Sequence, residues 1–445
     1  MASIKNNSFY LINLGCAKNL VDSNVISQIL TAAGYKHADS MREAKYIIIN
    51  TCGFIHDARV ESQEAIADVL KNRRKGQFVI ASGCLSQRLN AELYQRFPAL
   101  DGLVGTRNLR DVLPLLEDLS RSGRPKHNTL PAYIKLMVDE QLSNTVIQGG
   151  SSYLKIADGC HRTCAFCAIP LIKGPLVSRS RESVIRDALT LQSQGVKEIN
   201  LIAQDVTSYG IDRGENDALA DLLSDLLPMI PDVPWVRLLY TYPGMVTDRL
   251  IDLMAESDQL LPYLDMPLQH ADPTVLKAMS RPSNIEWVNE TIARIRRLIP
   301  NLVVRTTMIV GYPNESEKSF DILRDFIQDI EFDHLGVFTY SPEIDTASCT
   351  QPDMIPAKVK EARKEELMKI QSGISLARLK RLRGETLEML VEGVNAEEQI
   401  LVGRTYRDAP EIDGLAIAAG EAEVGDMVKM IITNTTEYDI IGEQI

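Results

Sequence analysis

Six of the seven cysteines among these 445 residues fall into two sets of three. The tighter set is Cys160, Cys164 and Cys167 in the run DGCHRTCAFC, a C-x3-C-x2-C spacing directly after a predicted strand. Three thiolates so placed can wrap one corner of a cubane and bind three of its four irons, leaving one iron without a protein ligand. An open iron is what S-adenosylmethionine (SAM) needs, because its amino and carboxylate groups can chelate there. An electron from the cluster then cleaves the sulfonium bond and releases a 5′-deoxyadenosyl radical. Phe166, just before the third cysteine, offers an apolar face beside the adenosine. Structural zinc is the competing reading. It takes four protein ligands, and the fourth here would have to be His161 or a distant residue.

The second set, Cys16, Cys52 and Cys84, is spread over about 70 residues, and the elements around it explain why it counts as a set. FYLINLG, YIIIN and FVIAS read as strands, and LDGLVG as a fourth. The helices expected between them run from about Asp22 to Ala33, through EAIADVLKN, and through AELYQRF. Each cysteine directly follows one of the first three strands. Sites in parallel α/β sheets form outside the carboxyl ends of the strands, so the three thiols should converge on one edge. Three independent buried cysteines would be the alternative. Cys349 lies outside both sets and reads as a non-ligand.

The polar stretch SRSGRPKHNTLP marks a boundary near residues 120 to 131. A second α/β series follows, with strands at SYLKIA, EINLIAQ, WVRLLYTY, YLDMPLQ, LVVRTTMIVG and HLGVFTYS. Six strands with intervening helices suit a partial (β/α) barrel with its chemistry at the carboxyl ends. A long charged helix is expected from Ile355 to about Arg383. Beyond Gly384, short β runs broken by Gly and Asp predict a small β-barrel. The fold class is thus α/β multidomain. The boundaries expected are 1–125 for the first domain, 126–145 for a linker, 146–375 for the core and 376–445 for the small barrel.

With 45% apolar and 24% charged residues, the chain has the balance of a soluble globular protein. It lacks the apolar run of about 20 residues that spans a bilayer. Its first residues lack the basic-then-apolar layout of a secretory leader. These features predict a cytoplasmic protein without membrane contact, whose thiols stay reduced. The net charge of −12 is uneven: from Gly384 to Ile445 there are three basic and fourteen acidic residues, a net of −11. Such a surface repels phosphate backbones and attracts basic partners, although a solvated face without a partner explains it equally well.

The C-x3-C-x2-C run resembles the radical-SAM motif, and the whole chain resembles the methylthiotransferases of that superfamily. Those enzymes have an N-terminal cluster domain, a radical-SAM core and a C-terminal TRAM barrel. Cys16, Cys52 and Cys84 stand in the matching contexts LGCAKN, NTCGF and SGCLSQR. The resemblance implies a second [4Fe–4S] cluster on these three, carrying the sulfur, beside a radical-SAM [4Fe–4S] cluster on Cys160, Cys164 and Cys167. It also implies two SAM molecules per turnover and an electron donor such as flavodoxin or ferredoxin. For SAM it points to Gln204 and Asp205 in AQDVTSYG, to Gln269 and His270 in LQH, and to Gly311 in IVGYP. Each polar member of that group also reads as a helix cap or strand-end hydrogen bond, and His270 as a core histidine. Three positions depart from the family pattern: Ala17 replaces a common proline, Lys173 a frequent arginine, and Asn314 a glycine.

The family divides into enzymes acting on adenosine in transfer RNA and enzymes acting on an aspartate of small-subunit ribosomal protein twelve. LGCAKNLVDS and GRTYRDAPEIDG (Gly403 to Gly414) resemble the second branch, and the acidic barrel suits a basic protein better than RNA. This reading makes Asp408, Glu411 and Asp413 candidate partner contacts, each equally explained as part of a solvated face. The transfer-RNA enzyme is the alternative, RNA contact stays open, and a non-catalytic iron–sulfur protein is the reading from another class.

Overall fold

The computed structural model describes residues 7–123, 125, 127–131, 135–352 and 354–445. The expected linker and boundary stretch fall partly, at 124, 126 and 132–134, outside the described residues, as do the first six residues of the segment compared with a leader. The chain forms two compact units. One comprises Met1–Val146, Lys155–Ser183 and Glu343–Thr346; the other comprises Ile147–Leu154, Val184–Pro342 and Ala347–Ile445.

The first unit opens with β1 (Ser8–Asn13), α1 (Ala17–Ala32), β2 (Lys36–His37), β3 (Tyr46–Thr51) and α2 (His56–Asn72). It continues with β4 (Phe78–Gly83), α3 (Cys84–Leu89), α4 (Glu92–Arg96), β5 (Gly102–Val104) and α5 (Val112–Ser122). The parallel sheet has the order β2-β1-β3-β4-β5. Both faces are covered, which is why YIIIN is an unbroken apolar run. Tyr46 and Ile48 pack among Val25, Ile26 and Leu116 on one face, while Ile47 and Ile49 pack among Ile66, Val69 and Leu93 on the other. Burying each such side chain stabilises the unit by about 1.5–3 kcal/mol. The first helix begins five residues before the expected Asp22, because the extended Cys16 takes the N-cap position.

Next come β6 (Thr145–Gln148), β7 (Ser151–Lys155), β8 (Ala157–Asp158), α6 (Ile169–Ile172), β9 (Val177–Ser178) and α7 (Arg181–Ser193). The second unit adds β10 (Glu198–Ile202), α8 (Ala218–Leu226), β11 (Trp235–Leu238), α9 (Asp248–Glu256), β12 (Tyr263–Asp265), α10 (Pro273–Ala278) and α11 (Ile285–Leu298). It then runs through β13 (Val303–Val310), α12 (Glu317–Ile330), β14 (His334–Thr339) and α13 (Ala357–Lys380). Two sheets, β11-β10-β7-β6 and β12-β13-β14, meet through a parallel bridge from Val236 to Leu260, giving the open barrel of six expected strands. Side-chain caps from Thr247, Asp272, Asn284 and Ser316 fix where α9 to α12 start.

The chain ends in β15 (Thr386–Asn395), β16 (Ile400–Thr405), β17 (Ala416–Ala419), β18 (Met427–Thr435) and β19 (Ile440–Gln444). These close into a barrel of order β15-β16-β17-β19-β18 around Met389, Val391, Leu401, Met430 and Ile432. Among the described residues no helix is long and apolar enough to cross a membrane.

Candidate functional site

The strands β1, β3 and β4 are neighbours in the sheet, with Asn13 paired to Asn50 and Thr51 to Gly83. Cys16, Cys52 and Cys84 therefore emerge along one edge. Cys16 precedes α1, Cys52 follows β3 before α2, and Cys84 opens α3, so helix amino ends face the thiols. Asn19 joins the three loops. Its amide donates to the Leu14 carbonyl at 2.9 Å and the Thr51 carbonyl at 3.1 Å, and its oxygen accepts from the Cys84 thiol at 3.5 Å. The loops are too tightly nested for added side chains: a Cβ on Gly15 would lie 2.9 Å from the Cys52 Cβ, and one on Gly53 2.7 Å from the Leu85 nitrogen.

Burial pushes the Cys52 thiol up, while the backbone amides of Phe54 and Gly53 favour its thiolate. Burial also pushes the fully enclosed Cys84 up, opposed by the Lys173 ammonium. Such a thiol stays inert unless coordination removes its proton. Cys160, Cys164 and Cys167 lie in the irregular loop between β8 and α6, each partly exposed. The Arg162 amide donates to the Cys160 sulfur at 3.4 Å, and the Cys160 amide to the Gly174 carbonyl at 3.1 Å. Among the described residues no three His, Cys, Asp or Glu side chains stand close enough to hold a single metal ion. Amide donors aimed at sulfur and cradles without room for a Cβ fit cluster ligation.

Four charged side chains in the same unit, none more than 3% exposed, form a closed network. Asp22 accepts from Lys155 at 2.5 Å and from Lys173 at 2.7 Å; Asp158 accepts from the same two at 3.2 and 2.9 Å. Burial alone would lower the Lys173 ammonium, but the Asp158 and Asp22 carboxylates outweigh it and hold Lys173 well above its ordinary value. A second contact ties Arg88, in SGCLSQR, to the carbonyls of Gly53 and Phe54 and to the Glu343 carboxylate. Glu343 also accepts from the His56 amide at 2.9 Å and from Arg59. In the sequence Lys173 stands out only as a departure from the family's arginine and Arg88 only as part of SGCLSQR, while a lysine inside the apolar strand SYLKIA signals an internal partner.

In the second unit the expected SAM residues divide. Gln204 follows β10, Gln269 lies beyond β12 in a parallel bridge to Met308 of β13, and Gln269 has a left-handed φ of +78°. Asp205 is buried and accepts from the Thr207 and Ser208 hydroxyls, which shapes its own loop. His270 is fully buried: its Nδ1 accepts from the Asp272 amide at 2.9 Å, and its Nε2 lies 3.4 Å from Glu315. The Asp272 bond gives it a structural role, while its buried Nε2 makes no hydrogen bond among the described residues. Gly311 donates to Glu315 at 2.8 Å and is covered by the stem of Lys360. Glu315, missed in the sequence, thus organises two strand ends and also pairs with Arg363 at 2.6 Å.

The expected partner contacts need correction. The Asp413 side chain is 2% exposed and is taken up by Tyr263 at 2.5 Å and Arg305 at 3.3 Å. Asp408 is buried, accepts from the Thr405 hydroxyl at 3.1 Å and lies 3.7 Å from His334. Only Glu411 is exposed, held by Gln148 at 3.0 Å. The loop faces inward because its arginines are also consumed. Arg404 pairs with Glu198 at 2.5 Å, and Arg407 with Asp333 at 2.7 Å. Segment Gly403–Gly414 is therefore a plug against β10, β12, β13 and β14, and its charges other than Glu411 are internal.

Family models match along the chain: Uncharacterized protein family UPF0004 at residues 8–105, the Radical SAM superfamily at 154–327 and the TRAM domain at 384–445. Among curated proteins, "Ribosomal protein uS12 methylthiotransferase RimO" of Pelobacter propionicus is 40% identical over 448 residues, covering 100% of this chain and 99% of its own. The protein of the same name from Geobacter sulfurreducens is 40% identical over 440 residues, 98% of each chain. Among solved structures, the radical SAM methyltransferase TsrM of Kitasatospora setae, with cobalamin and a [4Fe–4S] cluster bound, shares the fold. Its TM-score is 0.55 at 13% identity, covering 75% of this chain and 72% of its own. The cobalamin-dependent enzyme OxsB gives 0.52 at 12% identity, covering 82% and 56%. With relatives near 40% identity over the full length and a radical-SAM core between the other two domains, the chain belongs to the radical-SAM methylthiotransferase family, in the RimO branch.

Proposed function

We propose that this enzyme inserts a methylthio group at the β-carbon of an aspartate in ribosomal protein uS12. It uses two SAM molecules and sulfur carried on an auxiliary cluster. Cys16, Cys52 and Cys84 would hold the auxiliary [4Fe–4S] cluster, and Cys160, Cys164 and Cys167 the radical-SAM one. The observation that carries this reading is that both three-cysteine sets belong to one compact unit, since adding a single carbon needs no second set. When bound, the clusters supply the electron that cleaves SAM and the carrier for the inserted sulfur.

The chain's own groups prepare those sites. Amides of Gly53 and Phe54 stabilise the Cys52 thiolate, and the Lys173 ammonium offsets negative charge at Cys84. Phe166, Gln204, Asp205, Gln269, His270 and Gly311 are the residues we propose for SAM, with Asp205 and His270 also holding their own loops. We assign residues 1–125 to the auxiliary-cluster domain, 146–375 to the radical-SAM core and 376–445 to the TRAM barrel. The reaction belongs to the cytoplasm and draws on a donor such as flavodoxin or ferredoxin.

Surface charge supports a basic protein as substrate. With the plug's charges other than Glu411 internal, eleven of the fourteen acidic residues from Gly384 onward are exposed, but only Lys429 of the three basic ones is. Such a face repels phosphates and attracts cations. Anaerobically reconstituted enzyme, SAM and reductant should be incubated with purified uS12 and, separately, with total transfer RNA. Mass spectrometry should find one added SCH2 unit on the protein. The same gain on RNA alone would establish the transfer-RNA enzyme instead, and no 5′-deoxyadenosine at all would leave an electron carrier.

A further inference from the structure

We infer that Asp22 is a positioning residue that fixes the auxiliary cysteine set relative to the Cys160–Cys167 loop, through the buried quartet it forms with Lys155, Lys173 and Asp158. This inference rests on the reading of both triads as cluster sites.

The quartet sits where the two sets are joined. Asp22 lies in the second turn of α1, the helix that starts beside Cys16. Asp158 stands two residues before Cys160, and its other oxygen accepts from the Gly159 amide at 3.0 Å. Lys155 ends β7, and Lys173 directly follows α6, the helix after the cysteine loop. Each carboxylate takes both ammonium groups, so α1 is bonded to both flanks of the loop. Thr106 adds a hydroxyl to Asp22 at 3.3 Å. Apolar contact continues the seam, with Cys84 packed against Ala168 and Ile172.

Burying four charges is an expensive way to join two elements, since an apolar substitute would often stabilise them as well. What ion pairs add is direction: four short bonds set the spacing and rotation of α1 against the loop, where apolar packing would tolerate sliding. Transfer of a group between two sites is sensitive to that, because misplacement by about 1 Å lowers such rates by roughly 100-fold. A cavity of about 440 Å³ opens onto Asp22, Lys155 and Asp158. That gives Lys155 a route to solvent when Asp22 is replaced, and the iron content of the variants reads whether the fold survives.

The test compares reconstituted wild type, Asp22→Asn, and the charge-balanced Asp22→Asn with Lys173→Gln. Each is measured for iron per chain, for magnetic coupling between the reduced clusters by pulsed EPR, and for 5′-deoxyadenosine released per thiolated product. Both variants should keep their iron, show altered inter-cluster coupling, and release at least about tenfold more 5′-deoxyadenosine per product. Asp139→Asn, on the same cavity wall but paired with the exposed Arg110, should match wild type. Wild-type coupling and product ratio in Asp22→Asn overturn the inference. So does loss of iron from both variants, which would make the quartet a folding element only. A wild type with one cluster signal, or without thiolated product, refutes the parent reading instead.

Discussion

At the scale of single residues, Cys52 separates the two halves of the proposed chemistry. It lies beside the auxiliary thiols and outside the loop of Cys160, Cys164 and Cys167, and its backbone is held by the Ser62 hydroxyl, which bonds both its amide and its carbonyl at 3.0 Å. Cys52→Ala should therefore lose about half the iron, keep cleaving SAM, and form no thiolated product. Undiminished thiolation by that variant would remove the auxiliary assignment. The triads were legible because cysteine spacing and strand ends are local features of a sequence. Asp408 and Asp413 were not. Their partners Tyr263, Arg305 and His334 lie roughly 70 to 150 positions away, so a loop folded inward reads like one exposed to a partner. His270 was open in the sequence for the same reason, since Glu315 is 45 positions away.

At the scale of elements, all six core strands are visible as apolar runs and the helix before the barrel as a long charged pattern. The short strands β17 (AIAA) and β19 (IIGEQ) carry too few alternating bulky residues to stand out as strands in the sequence. The inward plug could not be read at all, because only the fold brings Gly403–Gly414 to the strands it closes. Its energetics give a pH prediction. Burial alone would push the Glu198 carboxyl up, but the guanidiniums of Arg404 and Arg237 outweigh it and bring it from 4.5 down to about 2. A depressed carboxyl contributes stability that is complete above the unfolded value and lost as protons reach the folded one. Denaturant midpoints of the wild type should therefore fall as the pH drops from about 4.5 toward 2. In Glu198→Gln that part of the slope should vanish, and at neutral pH the variant should be destabilised by about 3–5 kcal/mol, because two buried arginines lose their shared partner. An unchanged slope would show that the plug is not held by this pair.

At the scale of the whole molecule, the internal plug changes what the net charge means. The −11 of the last segment is fourteen carboxylates against three cations, yet both arginines are sealed inside with the side chains of Asp408 and Asp413. What faces solvent is more one-sided than the sequence implied: Lys429 is the one exposed cation among eleven exposed carboxylates. A field of that kind acts mainly on encounter, raising the rate at which a basic partner arrives. It is screened over about 10 Å at 0.1 M salt and over about 3 Å at 1 M. The expectation is a kcat/KM for uS12 that falls by about tenfold between 50 and 300 mM salt, carried by KM, while SAM cleavage without uS12 stays constant. Replacing Glu397 and Glu398 with lysine, both exposed at the β15–β16 turn, should weaken capture at low salt and flatten the dependence. A kcat/KM indifferent to salt would mean that the acidic barrel is a solvated face, and that uS12 is recognised by groups nearer the cysteines.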